Sequence, residues 1–167
     1  EEGALSAAQI SKIRQRADII KRHLKPGVSL NLNHDHGDTP AVDEWYNASN
    51  AGVQGRGRRW AKLIDLSIKK YAELGLTNFV SISPYNEPDL GWGQGYSSAT
   101  RKNDFLNIVR SLRQDYEGAY DGVRMCGGNT LNPDYAYEWW NHLKACLDEG
   151  NTHQLAGSFD NYAAFFT

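Results

Sequence analysis

A carboxyl flanked by an amide and a proline, in the run Ser83-Pro84-Tyr85-Asn86-Glu87-Pro88-Asp89, is the arrangement in this sequence best suited to chemistry. It follows Phe79-Val80-Ser81-Ile82-Ser83, in which Ser81 and Ser83 share one face of a strand and Val80 and Ile82 the other. Continuing that alternation puts Tyr85 and Glu87 on the serine face, with Pro84 loosening the register. A carboxyl at a strand end can donate a proton to a leaving oxygen when apolar walls or a second carboxylate raise its pKa. Asn86 adds a neutral amide able to bond a hydroxyl, and Pro88 stiffens the turn that presents both.

Other residues admit two readings each. His34-Asp35-His36 has a spacing that can hold zinc, or it offers polar contacts to a ligand. No third metal ligand is evident on a later segment. Trp92, in Gly91-Trp92-Gly93-Gln94-Gly95, is either a platform for the apolar face of a sugar ring or part of a plain glycine loop. Trp45 and Tyr46 carry the same pair of readings. Asn129 and Asn132, after Gly127-Gly128, are amides for a saccharide or the residues of a turn. Trp60, Trp139 and Trp140 fall on helical patterns and are expected in the core.

The elements that must position these groups alternate. Ile10, Ile13, Ala17, Ile20 and Leu24 draw one apolar stripe down a helix, opened by a Ser6/Gln9 capping box and stopped at Pro26-Gly27. Val28, Leu30 and Leu32 then alternate with Ser29, Asn31 and Asn33 as a strand, followed by a polar loop over 34–57. A second stripe, from Trp60 to Leu74, precedes the strand 79–83. The unit recurs as a helix with Phe105, Ile108, Val109 and Leu112, a strand over 123–126 and an exit turn at Gly127-Gly128-Asn129. A last helix carries Tyr137, Trp140, Leu143 and Leu147, and Leu155 to Tyr162 reads as the last strand. The order αβαβαβαβ in one domain, 1–167, specifies an α/β fold with parallel strands and crossover helices. Four such units make half of an eightfold barrel or an open doubly wound sheet. The small polar residues on one strand face favour the barrel.

A net charge of −2 gives no basic field for nucleic acid and no polybasic membrane anchor, so a neutral partner is expected. No apolar run approaches the roughly 20 residues of a membrane span, and residues 1–3 lack the features of a signal peptide. No cofactor is implied. Cys126 and Cys146 are either a disulfide or two small buried side chains.

Asn86-Glu87-Pro88 at a strand end resembles the Asn-Glu-Pro signature of clan A retaining glycoside hydrolases, which follows the fourth strand of a (β/α)8 TIM barrel. The resemblance implies that Glu87 is the acid/base and that Asn86 binds the 2-hydroxyl of the sugar being cleaved. In that register the chain runs from about the second barrel helix through the sixth strand. His34 and His36 then stand where clan members carry sugar ligands. Asp160-Asn161-Tyr162 is similar to a His-x-Tyr arrangement whose tyrosine bonds the nucleophile. Tyr85, Trp92 and Asn129 complete the expected substrate contacts. The run through Gly91-Trp92-Gly93-Gln94-Gly95 is similar to enzymes of the agarase and porphyranase kind, and β-glucan and xylan-type substrates stay open.

One departure stands against full activity of these residues alone. The clan's nucleophile is a glutamate at the end of the seventh strand, beyond the last strand expected here. Retention needs two carboxyls about 5 to 5.5 Å apart. The expectation is therefore a polysaccharide hydrolase, secreted or periplasmic, of which this is a central portion, prone to self-association when isolated. Two alternatives remain: a noncatalytic carbohydrate-binding barrel, and a metal-dependent barrel hydrolase using His34 and His36.

Overall fold

The computed structural model describes residues 4–33, 52–90, 98–155, 157, 160 and 161. Helix α1 (Ala7–His23) opens on the expected capping box, Gln9 N–H donating to Ser6 Oγ at 3.2 Å and Ser6 N–H to Gln9 Oε1 at 2.8 Å. Strand β1 (Leu30–Asn33), helix α2 (Gly52–Glu73), strand β2 (Phe79–Ser83), a 3-10 turn (Pro88–Leu90) and helix α3 (Ser98–Gln114) follow. Strand β3 (Arg124–Thr130), helix α4 (Ala136–Leu143) and strand β4 (Glu149–Thr152) complete the order.

The four strands form one parallel sheet in the order β1-β2-β3-β4. Each crossover therefore steps the same way, and right-handed crossovers that never reverse put successive helices on one face. The helices accordingly touch in series, α1 to α2, α2 to α3 and α3 to α4. Among the described residues the sheet is singly wound, with no reversal of the kind that defines a doubly wound fold.

The apolar core lies between sheet and helices. Trp60 and Ile64 of α2, Phe105, Ile108 and Val109 of α3, and Trp139 and Leu143 of α4 bury against Ile82 and Met125. A smaller cluster joins Ile13 and Ala17 of α1 to Tyr71 and Leu76. Trp60 and Trp139 are core residues as expected; Trp140 packs at the core's edge. The opposite face carries Asn31, Asn33, Ser81, Ser83, Asn129 and Asn151, whose side chains bond one another from strand to strand.

Several boundaries differ from the sequence expectation, among them the start of β1, at Leu30 rather than Val28, and the end of α4, at Leu143 short of Leu147. Helix α2 starts at Gly52, inside the expected loop, and Gly57 lies within it where packing leaves no room for a side chain: a Cβ there would lie 2.6 Å from Asn107 Cβ on α3. Strand β3 runs on to Thr130 through the expected exit turn. Strand β4 is Glu149–Thr152, ahead of the expected 155–162; Leu155 is exposed, as are Asp160 and Asn161. Glu-Gly-Asn-Thr has no apolar alternation, so β4 is defined by its pairing with β3 and by polar contacts.

Candidate functional site

The turn after β2 is fixed from both sides of the sheet. On the helix side, buried Trp60 donates its Nε1–H to Pro84 O at 2.7 Å, and its ring meets that of Tyr85 with centroids 5.0 Å apart. Tyr85 is thus a core residue, packed against α2. The expected place on the serine face is corrected, because the chain leaves strand geometry at Pro84 and the alternation stops there. From the β3 side, Glu87 N–H donates to Asn129 O at 2.9 Å, and Asp89 Oδ1 accepts the N–H of Leu131 at 3.0 Å.

These clamps hold Glu87 in the left-handed region, at φ 45°. A non-glycine residue there costs of order 1 kcal/mol or more, a strain the surrounding bonds must over-determine. Its carboxylate is 13% exposed, and Oε1 lies 2.7 Å from Nδ1 of His153, the residue after β4. When Nδ1 carries its hydrogen it donates to Oε1, and Oε2 has no hydrogen-bond partner among the described residues.

The residue before Glu87 joins a network of amides. Asn86 Oδ1 accepts from Asn33 Nδ2 at 2.8 Å and from Asn129 Nδ2 at 3.2 Å. Asn129 is 2% exposed and has φ 49°. The β3–β4 register shifts between Gly128 and Thr130, so Asn129 is the bulged residue, and asparagine tolerates the left-handed backbone that a bulge demands. Asn151 bonds Asn129 twice, Oδ1 to its N–H at 2.9 Å and Nδ2 to its Oδ1 at 3.0 Å. Asn151 Nδ2 also reaches Ser83 Oγ at 3.3 Å. Thr130 and Thr152 hydroxyls, 2.7 Å apart, tie the two strand ends together.

Farther toward the strand starts, Asn31 Nδ2 donates to Ser81 Oγ at 2.7 Å, and the Cys126 thiol donates to Glu149 Oε2 at 2.9 Å. Burial first, and then the Glu149 hydrogen bond, push the Cys126 thiol up to about 12, so it stays protonated and unreactive at neutral pH. Arg124 pairs with Glu149 at 2.8 Å. Both cysteines are free thiols.

The structure brings Asn86 and Glu87 together as expected from sequence; Asn129, expected to contact substrate, is instead buried beneath them with both side-chain atoms bonded inside the protein. His34, His36, Trp92 and Tyr162 lie outside the described residues, as do Trp45 and Tyr46. Among the described residues, no three His, Cys, Asp or Glu side chains cluster to hold a metal ion. Sequence reasoning missed His153, Asn33 and Asn151. A signal for two of them existed: Gly-Asn-Thr occurs at 128–130 and again, with Asn151, at 150–152, at the ends of adjacent strands, and His153 follows the second copy.

The chain matches no protein-family model, no curated protein and no solved structure. Among the described residues, no helix is long and apolar enough to cross a membrane.

Proposed function

We propose that this chain carries the acid/base half of a retaining glycoside hydrolase acting on a polysaccharide, with the four strands forming part of a (β/α)8 barrel. The observation that carries the reading is Glu87: a partly buried carboxylate just past the C-terminal end of a parallel strand, bonded to His153 and preceded by Asn86, whose amide is held by Asn33 and Asn129. In parallel α/β folds, catalytic groups collect at that end of the sheet. A parallel sheet whose crossovers all step the same way, with its helices on one face, supports a place as part of such a barrel.

In this mechanism Glu87 Oε2 gives its proton to the leaving glycosidic oxygen and later takes one from water, while His153 holds Oε1. Asn86 bonds the sugar hydroxyl next to the reacting carbon. The nucleophile is a second carboxylate outside the described residues. The enzyme acts outside the cytoplasm, secreted or periplasmic, where long polysaccharides are met.

The test is a panel of agar, porphyran, β-glucan and xylan, digested by the complete protein and by its Glu87→Gln variant. Loss of the general acid should lower kcat by about 10²–10⁴-fold. With Glu87→Ala and an activated aryl glycoside, azide should restore turnover by taking over attack on the glycosyl-enzyme. Undiminished hydrolysis by Glu87→Gln would end the proposal. Saturable binding to a polysaccharide that is never cleaved would convert it to a carbohydrate-binding barrel.

A further inference from the structure

Amide orientations across the four strands are not independent, because two backbone groups fix them. A backbone N–H can only donate, so Asn151 turns its Oδ1 to the Asn129 N–H, 2.9 Å away, and its Nδ2 to Asn129 Oδ1. With Oδ1 thus accepting, Asn129 turns its Nδ2 the other way. A backbone carbonyl can only accept, and Tyr85 O lies 3.3 Å from that Nδ2, which fixes the same orientation independently. Asn129 Nδ2 then donates to Asn33 Oδ1 at 2.9 Å, which leaves Asn33 Nδ2 to donate to Asn86 Oδ1. Asn129 Nδ2 has two hydrogens for three acceptors, so Asn86 Oδ1 at 3.2 Å and Tyr85 O at 3.3 Å share one; Asn86 Oδ1 accepts fully from Asn33 and in part from Asn129.

We infer that Asn129 is a positioning residue, which with Asn33 and Asn151 locks the Asn86 side chain so that only its NH2 group is offered to a ligand. Among the described residues, Asn86 Nδ2 has no partner, while Asn86 itself is only half-buried. The ligand atom met there must accept a hydrogen bond, as a sugar hydroxyl oxygen does, and that hydroxyl keeps its own proton to donate elsewhere. Asn129 does this without touching the ligand. Its side chain is buried, and both of its polar atoms are committed within the relay. The orientation rests on hydrogen-bond directions alone, whereas its consequence for turnover rests on the reading of Glu87 as an acid/base.

Asn129→Asp is the decisive change. It keeps size and tolerance of the left-handed backbone but replaces the donor with a carboxylate oxygen, which repels Asn86 Oδ1 and attracts Asn86 NH2. In the 15N-labelled protein, the Asn86 side-chain amide protons should exchange quickly with solvent. In Asn129→Asp they should shift downfield and exchange at least tenfold more slowly, because the amide has turned inward. Asn33→Asp, at the exposed rim, removes the other donor and should turn the amide in the same way, should the buried variant fail to fold. A folded variant of either kind in which the Asn86 signals stay unchanged overturns the inference.

Turnover supplies the second readout. Asn129→Asp should lower kcat/KM on the polysaccharide by at least tenfold, yet by less than twofold when introduced into Asn86→Ala. A full loss in both backgrounds would show that Asn129 acts other than through Asn86. If the parent protein cleaves nothing, the acid/base reading fails while the amide signals still decide the orientation.

Discussion

Gly127→Ala tests the placement of β3, on which Asn129 depends. A Cβ at 127 would lie 2.6 Å from Phe105 Cζ and 2.9 Å from both Phe105 Cε1 and Leu147 Cδ1. Carbon atoms in contact normally sit about 3.5–4.0 Å apart, so roughly an ångström of movement is required. Phe105 cannot swing away, being 1% exposed and wedged edge-on against Trp139 with ring centroids 6.4 Å apart. Forcing a methyl into such a core costs about 1–3 kcal/mol. For a chain of this length that is a fall in Tm of roughly 2–12 °C. An exposed turn at Gly127-Gly128-Asn129 predicts the reverse, since alanine at a compatible turn glycine stabilises by about 0.4–1 kcal/mol. Thermal and urea unfolding of the parent, Gly127→Ala, Phe105→Leu and the double variant form the assay. Leucine at 105 removes the two ring atoms that clash and leaves only Leu147 Cδ1, so the double variant should be more stable than the two separate losses summed, by about 1 kcal/mol. Stability of Gly127→Ala at or above that of the parent would refute the strand as described and, with it, the bulge that turns Asn129 into the amide relay.

Two further outcomes follow from named contacts. His153→Ala removes a hydrogen bond to a charged group, worth about 1.5–3 kcal/mol, so kcat/KM on polysaccharide should fall roughly 10- to 100-fold. The loss should shrink on aryl glycosides with good leaving groups, and equal losses on both would refute a role through Glu87. Burial first, then the Asp65 and Asp115 carboxylates, push the Tyr116 hydroxyl up to about 12. Tyr120 is raised as well, by burial and by donating to Asp65 Oδ1 at 2.9 Å. Unfolded tyrosines ionise near pH ~10, so this stabilisation is complete below pH ~10 and is lost as pH climbs through about 12. The urea midpoint should therefore drop less between pH 8 and 11 in Tyr116→Phe/Tyr120→Phe than in the parent, and an equal drop would remove these hydroxyls from the account.

What the sequence made legible was whatever apolar periodicity encodes. The α1 stripe, its capping box, the β2 alternation and the order of the elements all appear where the residues indicated. What it hid was structure made by small and polar residues. Gly57 and Gly127 look like loop glycines but stand where a helix or a ring comes too close for a side chain. Glu149-Gly150-Asn151-Thr152 has no apolar face, and its strand exists because β3 and the amide network pair with it. Tyr85 failed for a different reason: a two-residue period holds only while the strand lasts, and Pro84 ends it.

The amide network also bears on why the site is built from asparagines. A buried amide is tolerated only when nearly all its hydrogen-bonding capacity is used, because an unpaired polar group in the interior costs about 1–3 kcal/mol. Asn129, the most buried of the four, is satisfied on both side-chain atoms and on both backbone groups. Satisfaction then passes outward through Asn33 to Asn86, and the donor left over appears at the rim beside Glu87. Neutral amides hold this arrangement at any pH at which the chain is folded, whereas carboxylates in their place would repel Glu87 and bind protons in competition with it. Under the proposed function this separates two tasks: amides orient the substrate without titrating, and one carboxyl moves the proton.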